Sequence, residues 1–251
     1  MFKKQIPNLF TMLNLFSGII AVIMALSDKL VMAAFFVMLG IFFDFFDGFF
    51  ARIFKVEGEL GKQLDSLADM VTSGVAPGII MFQLMFFSTQ GQWFMQLSCE
   101  VGDWHNFKDT NLFFLPLSGL LITLASAYRL ANFNIDERQT SSFIGVPTPA
   151  MALFVLSFPL ILNYGASPFI IDLIHNPYFL LVVTLIGSYL LNAELPLFSL
   201  KFKNYSFNEN KLKYTFILIS VILIAIFKVV AIPVIIIVYI LLSVIENLIK
   251  K

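Results

Sequence analysis

Charge is scarce in this chain and cysteine scarcer. Only 13% of the 251 residues are charged, 59% are hydrophobic, and the mean hydropathy is +0.89. A water-soluble domain of this length cannot be built from so little polar surface; the composition is that of a polytopic helical membrane protein. A single cysteine, Cys99, excludes an internal disulfide and a cysteine-rich metal centre. The two histidines, His105 and His175, fall far from the acidic residues described below and read as interfacial or loop residues. Basic and acidic residues number 16 each, and no nucleic-acid partner is expected. There is no signal-peptide pattern with a small-residue cleavage site, so the first apolar segment is expected to stay as a helix. No repeat, low-complexity tract or long linker divides the chain, which is read as one integral-membrane domain, 1–251.

Apolar runs, by contrast, are abundant. Eight candidate spans occupy Leu9–Leu26, Leu30–Phe54, Leu67–Phe87, Leu112–Phe133, Thr148–Asn163, Pro177–Leu195, Lys213–Phe227 and Val229–Asn247, with six or seven if the tail pairs differently. The expected fold is an all-α bundle of about eight transmembrane helices. With both termini inside, only Lys29, Lys108 and Lys228 of the 16 basic residues fall outside, which orients the bundle by the positive-inside rule. Trp93 and Trp104 flank an outer stretch, Gln90–Asn111, as interface anchors. The segment Lys201–Lys213 is basic and suited to lie on anionic lipid.

Against this background four aspartates stand out. Asp44 and Asp47 interrupt the second run, and Asp65 and Asp69 open the third. Ionisable groups at membrane depth are costly and mark substrate or ion sites. At about 100° per residue, Asp44, Asp47, Gly48 and Ala51 share one helix face, and Gly61, Asp65 and Asp69 form a stripe on the next. A turn near Lys55–Gly58 would bring all four carboxylates together, and the glycines and Ala51 would let a ligand approach the backbone. Hard oxygen donors suit Mg²⁺ or Mn²⁺, and two such ions would balance the four negative charges. A pyrophosphate held between the ions and Arg52 would be placed for displacement at phosphorus.

The pattern D-x2-D-G-x2-A-R-x8-G-x3-D-x3-D, residues 44–69, resembles the signature of the CDP-alcohol phosphotransferases, membrane enzymes of phospholipid synthesis, at every fixed position. The resemblance implies metal ligation by Asp44, Asp47 and Asp65. It makes Asp69 both a ligand and the base for the acceptor hydroxyl, and it brings Gly48 and Arg52 to the CDP-linked substrate. In the first span Pro7, Asn8, Thr11 and Asn14 are similar to the family's P-N-x2-T-x2-N opening, placed near the nucleotide, and Asn8, Thr11 and Asn14 form a polar stripe. Ala51, Gly61, Asn8 and Thr11 therefore join the expected CDP-lipid site.

Further along, Gly74 and Pro77 weaken the third helix in mid-membrane, and Ser73, one turn beyond Asp69, is placed to touch substrate. The sequences Y128-R-L-A-x-F-N134 and F143-x-G-x-P-x-P149 resemble the family members of bacteria and archaea that transfer a phosphatidyl group from CDP-diacylglycerol to L-serine. One departure is Asn132, where arginine is more often expected. Arg129 can bind a carboxylate or phosphate bidentately, and with Asn132 and Ser73 it is the expected acceptor site. Membrane lipid is the other partner, and the resemblance extends to homodimers. The expected location is the cell (inner) membrane, with the site facing the cytoplasm. The alternatives are another acceptor, such as glycerol phosphate or inositol phosphate, and a divalent-cation transporter.

Overall fold

The computed structural model describes residues 2–56, 58–96, 114–136, 143–198, 206 and 210–249. Cys99, Trp104, His105 and most of the basic 201–213 segment lie outside the described residues. Helix α1 (Phe2–Leu26) is followed by α2 (Leu30–Phe54) and by α3 (Glu59–Asp69), which runs through a π-helical turn, Met70–Val75, into α4 (Ala76–Gln90). Next come α5 (Phe114–Leu117), a 3-10 turn and α6 (Leu121–Ile135), then α7 (Thr148–Tyr164), α8 (Pro168–Ile174) and α9 (Pro177–Asn192). The tail carries α10 (Lys211–Phe227) and α11 (Ala231–Ile249). A two-residue antiparallel pair joins β1 (Phe143–Ile144) to β2 (Pro196–Leu197).

Local chemistry sets the helix ends. Lys55 adopts the left-handed conformation (φ 53°), and its N–H and that of Val56 return to the carbonyls of Arg52 and Ala51, closing α2. Gly91 ends α4 in the same way at φ 69°. The Asn176 side chain accepts from the N–H groups of Tyr178 and Phe179 at the start of α9, and Pro177 fills the first turn. Pro77 cannot donate a helix bond and its ring crowds the carbonyl one turn back. The helix answers with a π turn, placing Pro77 in the first turn of α4, where the sequence had suggested a break.

The continuous helix 59–90 is the axle of the bundle. Ile80, Met81, Met85 and Phe86 of α4 are fully buried, and the first three share one apolar core with Ala21, Ala25, Ala33 and Val37 of α1 and α2 and with Val155 and Leu156 of α7. At its far end Trp93 stacks on Phe87, with ring centroids 4.5 Å apart, and His175 lies beside the same Phe87. His175 is thus well removed from the carboxylates. Where α4 crosses the 3-10 turn, Gly119 touches backbone: a Cβ there would lie 2.6 Å from the Phe82 nitrogen.

Among the described residues, five helical stretches are long and apolar enough to cross a membrane, or six if α8 and α9, bent by 70°, count as one span. The chain is therefore an all-α polytopic membrane protein. One of the five stretches, 211–249, folds back at Lys228 (φ 50°). The rings of Phe216 and Tyr239 lie 5.6 Å apart, whereas the same residues in one straight helix would be about 35 Å apart. Phe198 packs on both rings and its carbonyl accepts from Tyr239 Oη at 2.8 Å. The 17-residue α7 is the remaining shorter apolar helix.

The tight crossing at Gly119 yields a test. Gly119→Ala forces Cβ into backbone atoms that cannot swing aside, and should cost about 1–3 kcal/mol. Thermal unfolding in detergent should show the lowered midpoint.

Candidate active site

Three helices converge at one end of the bundle. Helix α1 packs against both α2 and α3, and the acidic residues of α2 and α3 approach one another beside it. Asp44 and Asp47 face α3, and Asp65 and Asp69 face back. Carboxylate oxygens of Asp44, Asp47 and Asp65 lie within 4.8 Å of one another, while Asp69 stands beside that group and outside it. Asp47 is only 7% exposed and its Oδ2 accepts from Thr11 Oγ1 at 2.7 Å. Asp69 Oδ1 accepts from Asn14 Nδ2 at 3.1 Å. Both donors are neutral groups of the α1 polar stripe.

The donor set suits a divalent cation. Oxygens bound about 2.0–2.6 Å from one ion sit at most about 4–5 Å apart, which is the span of the three carboxylates. Asp65 Oδ1 is buried with no hydrogen-bond partner. The Asp44 and Asp65 carboxyls contact each other, an arrangement that repels unless a proton or a cation lies between them. Neutral hydrogen bonds alone do not offset such a concentration of acid.

Beside the carboxylates opens a cavity of about 540 Å³. Asn8 and Thr11 of α1, Gly48, Ala51 and Arg52 of α2, and Gly61 of α3 all line it, together with Asp47 and Asp65. All six residues expected at the CDP-lipid site thus share one cavity. A Cβ added to Gly48 would meet nothing within 4 Å, so the missing side chain widens the cavity itself. Arg52 is exposed, and its Nε donates to the Gly48 carbonyl at 2.9 Å, which holds the guanidinium against its own helix at the rim. Lys62, also at the rim, donates to the Asn134 carbonyl at 2.8 Å and so ties α3 to α6.

The three residues expected at the acceptor site are distributed differently. Arg129 and Asn132 line a second cavity of about 350 Å³, with Asp136, Asn192 and Glu194. Arg129 is 6% exposed; its Nη1 donates to the carbonyls of Ile144 at 2.9 Å and of Leu191 at 3.5 Å, joining β1 to the last turn of α9. Ser73 sits in the π turn, fully buried, and its hydroxyl lacks a partner, as does that of Ser126 on α6. Sequence reasoning passed over Thr72, and it placed Asn14 in the polar stripe and the opening motif without giving it a partner. Thr72 Oγ1 donates to the Asn14 carbonyl at 3.1 Å. Its only signal in the sequence was its position three residues beyond Asp69.

An all-α membrane bundle with clustered carboxylates beside a small-residue cavity is the arrangement of a membrane-embedded enzyme site able to take a divalent cation. The chain belongs to the CDP-alcohol phosphatidyltransferase family, whose model matches residues 4–189. It is 31% identical over 188 residues to the CDP-diacylglycerol–serine O-phosphatidyltransferase of Bacillus subtilis (strain 168), covering 70% of this chain and 92% of that protein. The protein of the same name from Helicobacter pylori (strain J99) is 35% identical over 152 residues, 60% of this chain and 55% of that one. The archaetidylserine synthase of Methanothermobacter thermautotrophicus is 31% identical over 156 residues, 61% of this chain and 57% of that one. The chain thus spans a little over half the length of the latter two.

Asp65→Asn removes one of three clustered carboxylates and should weaken Mn²⁺ binding by about tenfold or more. Titration of the purified protein followed by electron paramagnetic resonance of free Mn²⁺ checks this.

Proposed function

We propose that this protein transfers the phosphatidyl group of CDP-diacylglycerol to L-serine, giving phosphatidylserine and CMP. The observation that carries the reading is the gathering of Asp44, Asp47 and Asp65 at the wall of the cavity lined by Gly48, Ala51 and Arg52. The names of the similar proteins supply the acceptor, serine.

In this reading the CDP-lipid pyrophosphate lies in the cavity, with Arg52, Asn8 and Thr11 around the nucleotide part and Gly48, Ala51 and Gly61 leaving it room. Asp44, Asp47, Asp65 and Asp69 would hold two divalent ions, Mg²⁺ or Mn²⁺. Such ions supply positive charge to the pyrophosphate and to the departing oxygen. Asp69 takes the proton of the serine hydroxyl, whose oxygen forms a bond to the lipid-side phosphorus as the bond from that phosphorus to the CMP oxygen breaks. Asp69 is the one of the four that the tightest carboxylate group leaves out, which supports giving it this second duty. Ser73, with Arg129 and Asn132, is assigned to the acceptor. The protein would lie in the cell membrane as a homodimer with about eight spans, both termini and the cavity on the cytoplasmic side, and the CDP-lipid's acyl chains among the helices.

The decisive assay is CMP release from CDP-diacylglycerol by purified protein with Mg²⁺ or Mn²⁺. Serine, glycerol 3-phosphate, inositol phosphate and no acceptor are compared. Serine-dependent release with formation of phosphatidylserine is expected; release with another alcohol alone replaces the acceptor, and none from folded protein overturns the reading. Asp69→Asn should abolish turnover while CDP-lipid binding survives. Arg52→Lys should raise the KM for CDP-diacylglycerol roughly fivefold or more, with a smaller effect on kcat, because lysine cannot present a planar fork to phosphate.

A further inference from the structure

We infer that Asn14 and Thr72 are positioning residues that fix the carboxylate of Asp69; this rests on the reading of Asp69 as the base.

Asn14 is completely buried and its amide serves unequal halves. Nδ2 donates to Asp69 Oδ1 at 3.1 Å, whereas Oδ1 has no partner. The carboxylate dictates this orientation, since the amide nitrogen alone can donate to it. The orphaned carbonyl is turned towards Gly40, where an added Cβ would lie 2.9 Å from it. A buried amide with an unsatisfied carbonyl is a cost to the fold, and an apolar side chain of similar size would avoid it. Stability therefore gives no reason for asparagine here, and the bond to Asp69 does.

Thr72 anchors that bond. Its hydroxyl donates to the Asn14 backbone carbonyl at 3.1 Å, so the residue that holds Asp69 is itself held from Asp69's own helix. The side chain is fully buried in a notch between two glycines on neighbouring helices. A Cβ on Gly18 would collide with Thr72 Oγ1 and approach its backbone, and one on Gly40 would collide with Thr72 Cγ2. The result is a closed ring: Asp69, the π turn, Thr72, the Asn14 backbone, the Asn14 side chain and Asp69 again. Asp69 sits at the entrance of the π turn, where the hydrogen-bond register of the helix shifts. The ring pins one carboxylate oxygen there and leaves the other for chemistry.

The test measures kcat, the KM for CDP-diacylglycerol, Mn²⁺-dependent CDP binding and thermal unfolding in detergent for Asn14→Leu, Thr72→Val and Thr72→Ser. Loss of one hydrogen bond to a charged group should lower kcat of Asn14→Leu roughly ten- to a hundredfold. Its KM, CDP binding and unfolding temperature should stay near the parent values. Thr72→Val should show a smaller loss of the same kind, and Thr72→Ser should recover most of it. A folded Asn14→Leu with parental kcat overturns the inference, as does a loss shared by KM and CDP binding, which would make Asn14 a nucleotide contact. If Asn14→Leu does not fold, Thr72→Val decides: parental kcat overturns the inference, and a selective kcat loss rescued by serine sustains it. Asp69→Asn separates the two readings. Full turnover in that variant removes the base itself, whereas its inactivity beside an unaffected Asn14→Leu removes only the positioning role.

Discussion

Four carboxylates gathered at one end of an apolar bundle repel one another and resist leaving water, and the arrangement of the first three helices can be understood as the means of holding them there. Helix α1 contributes neutral donors, Thr11 to Asp47 and Asn14 to Asp69. Helices α2 and α3 contribute the acids from facing stripes, and the left-handed Lys55 ends α2. None of these donors cancels charge. A divalent cation would supply the charge that these neutral donors do not.

Close helix approach is the second requirement, and small residues meet it. Gly18 and Gly40 admit Thr72, and Gly119 lets the 3-10 turn rest on the α4 backbone. In lipid there is little hydrophobic gain from bringing helices together, so close packing and interhelical hydrogen bonds carry the association. Thr123 Oγ1 to the Gly74 carbonyl and Lys62 Nζ to the Asn134 carbonyl fasten α6 to the central helix on the side away from α1 and α2. Asp65 and Asp69 are thus carried by a central helix tied to its neighbours by hydrogen bonds.

Much of the candidate site was legible in the sequence because helix-face arithmetic is local. The spacing of Asp44, Asp47, Asp65 and Asp69 foretold two facing stripes, and the cavity does collect Asn8, Thr11, Gly48, Ala51, Arg52 and Gly61. What a face meets is not local. Nothing in the order of residues says that Arg129 spends its Nη1 on the carbonyls of Ile144 and Leu191, or that Thr72 reaches the Asn14 carbonyl. The all-α membrane architecture was equally plain, from apolar run lengths. The 70° bend between α8 and α9 was not, since Pro168 and Pro177 begin helices without fixing the angle between them. The mid-membrane weakness at Gly74 and Pro77 was read correctly as to place, while its form, an added residue in the turn, depends on what packs around it.

That added residue has a bearing on how the chain can vary. A π turn holds one residue more than the α turn it replaces, so α3 and α4 are out of phase by about 100° relative to an uninterrupted helix. The acidic stripe before the turn and the apolar face after it are aimed independently, and the turn is the joint that sets their relative bearing. Length in Met70–Val75 is therefore a rotational coordinate. A single deletion there would leave composition and hydropathy almost untouched, yet turn the carboxylates away from their partners.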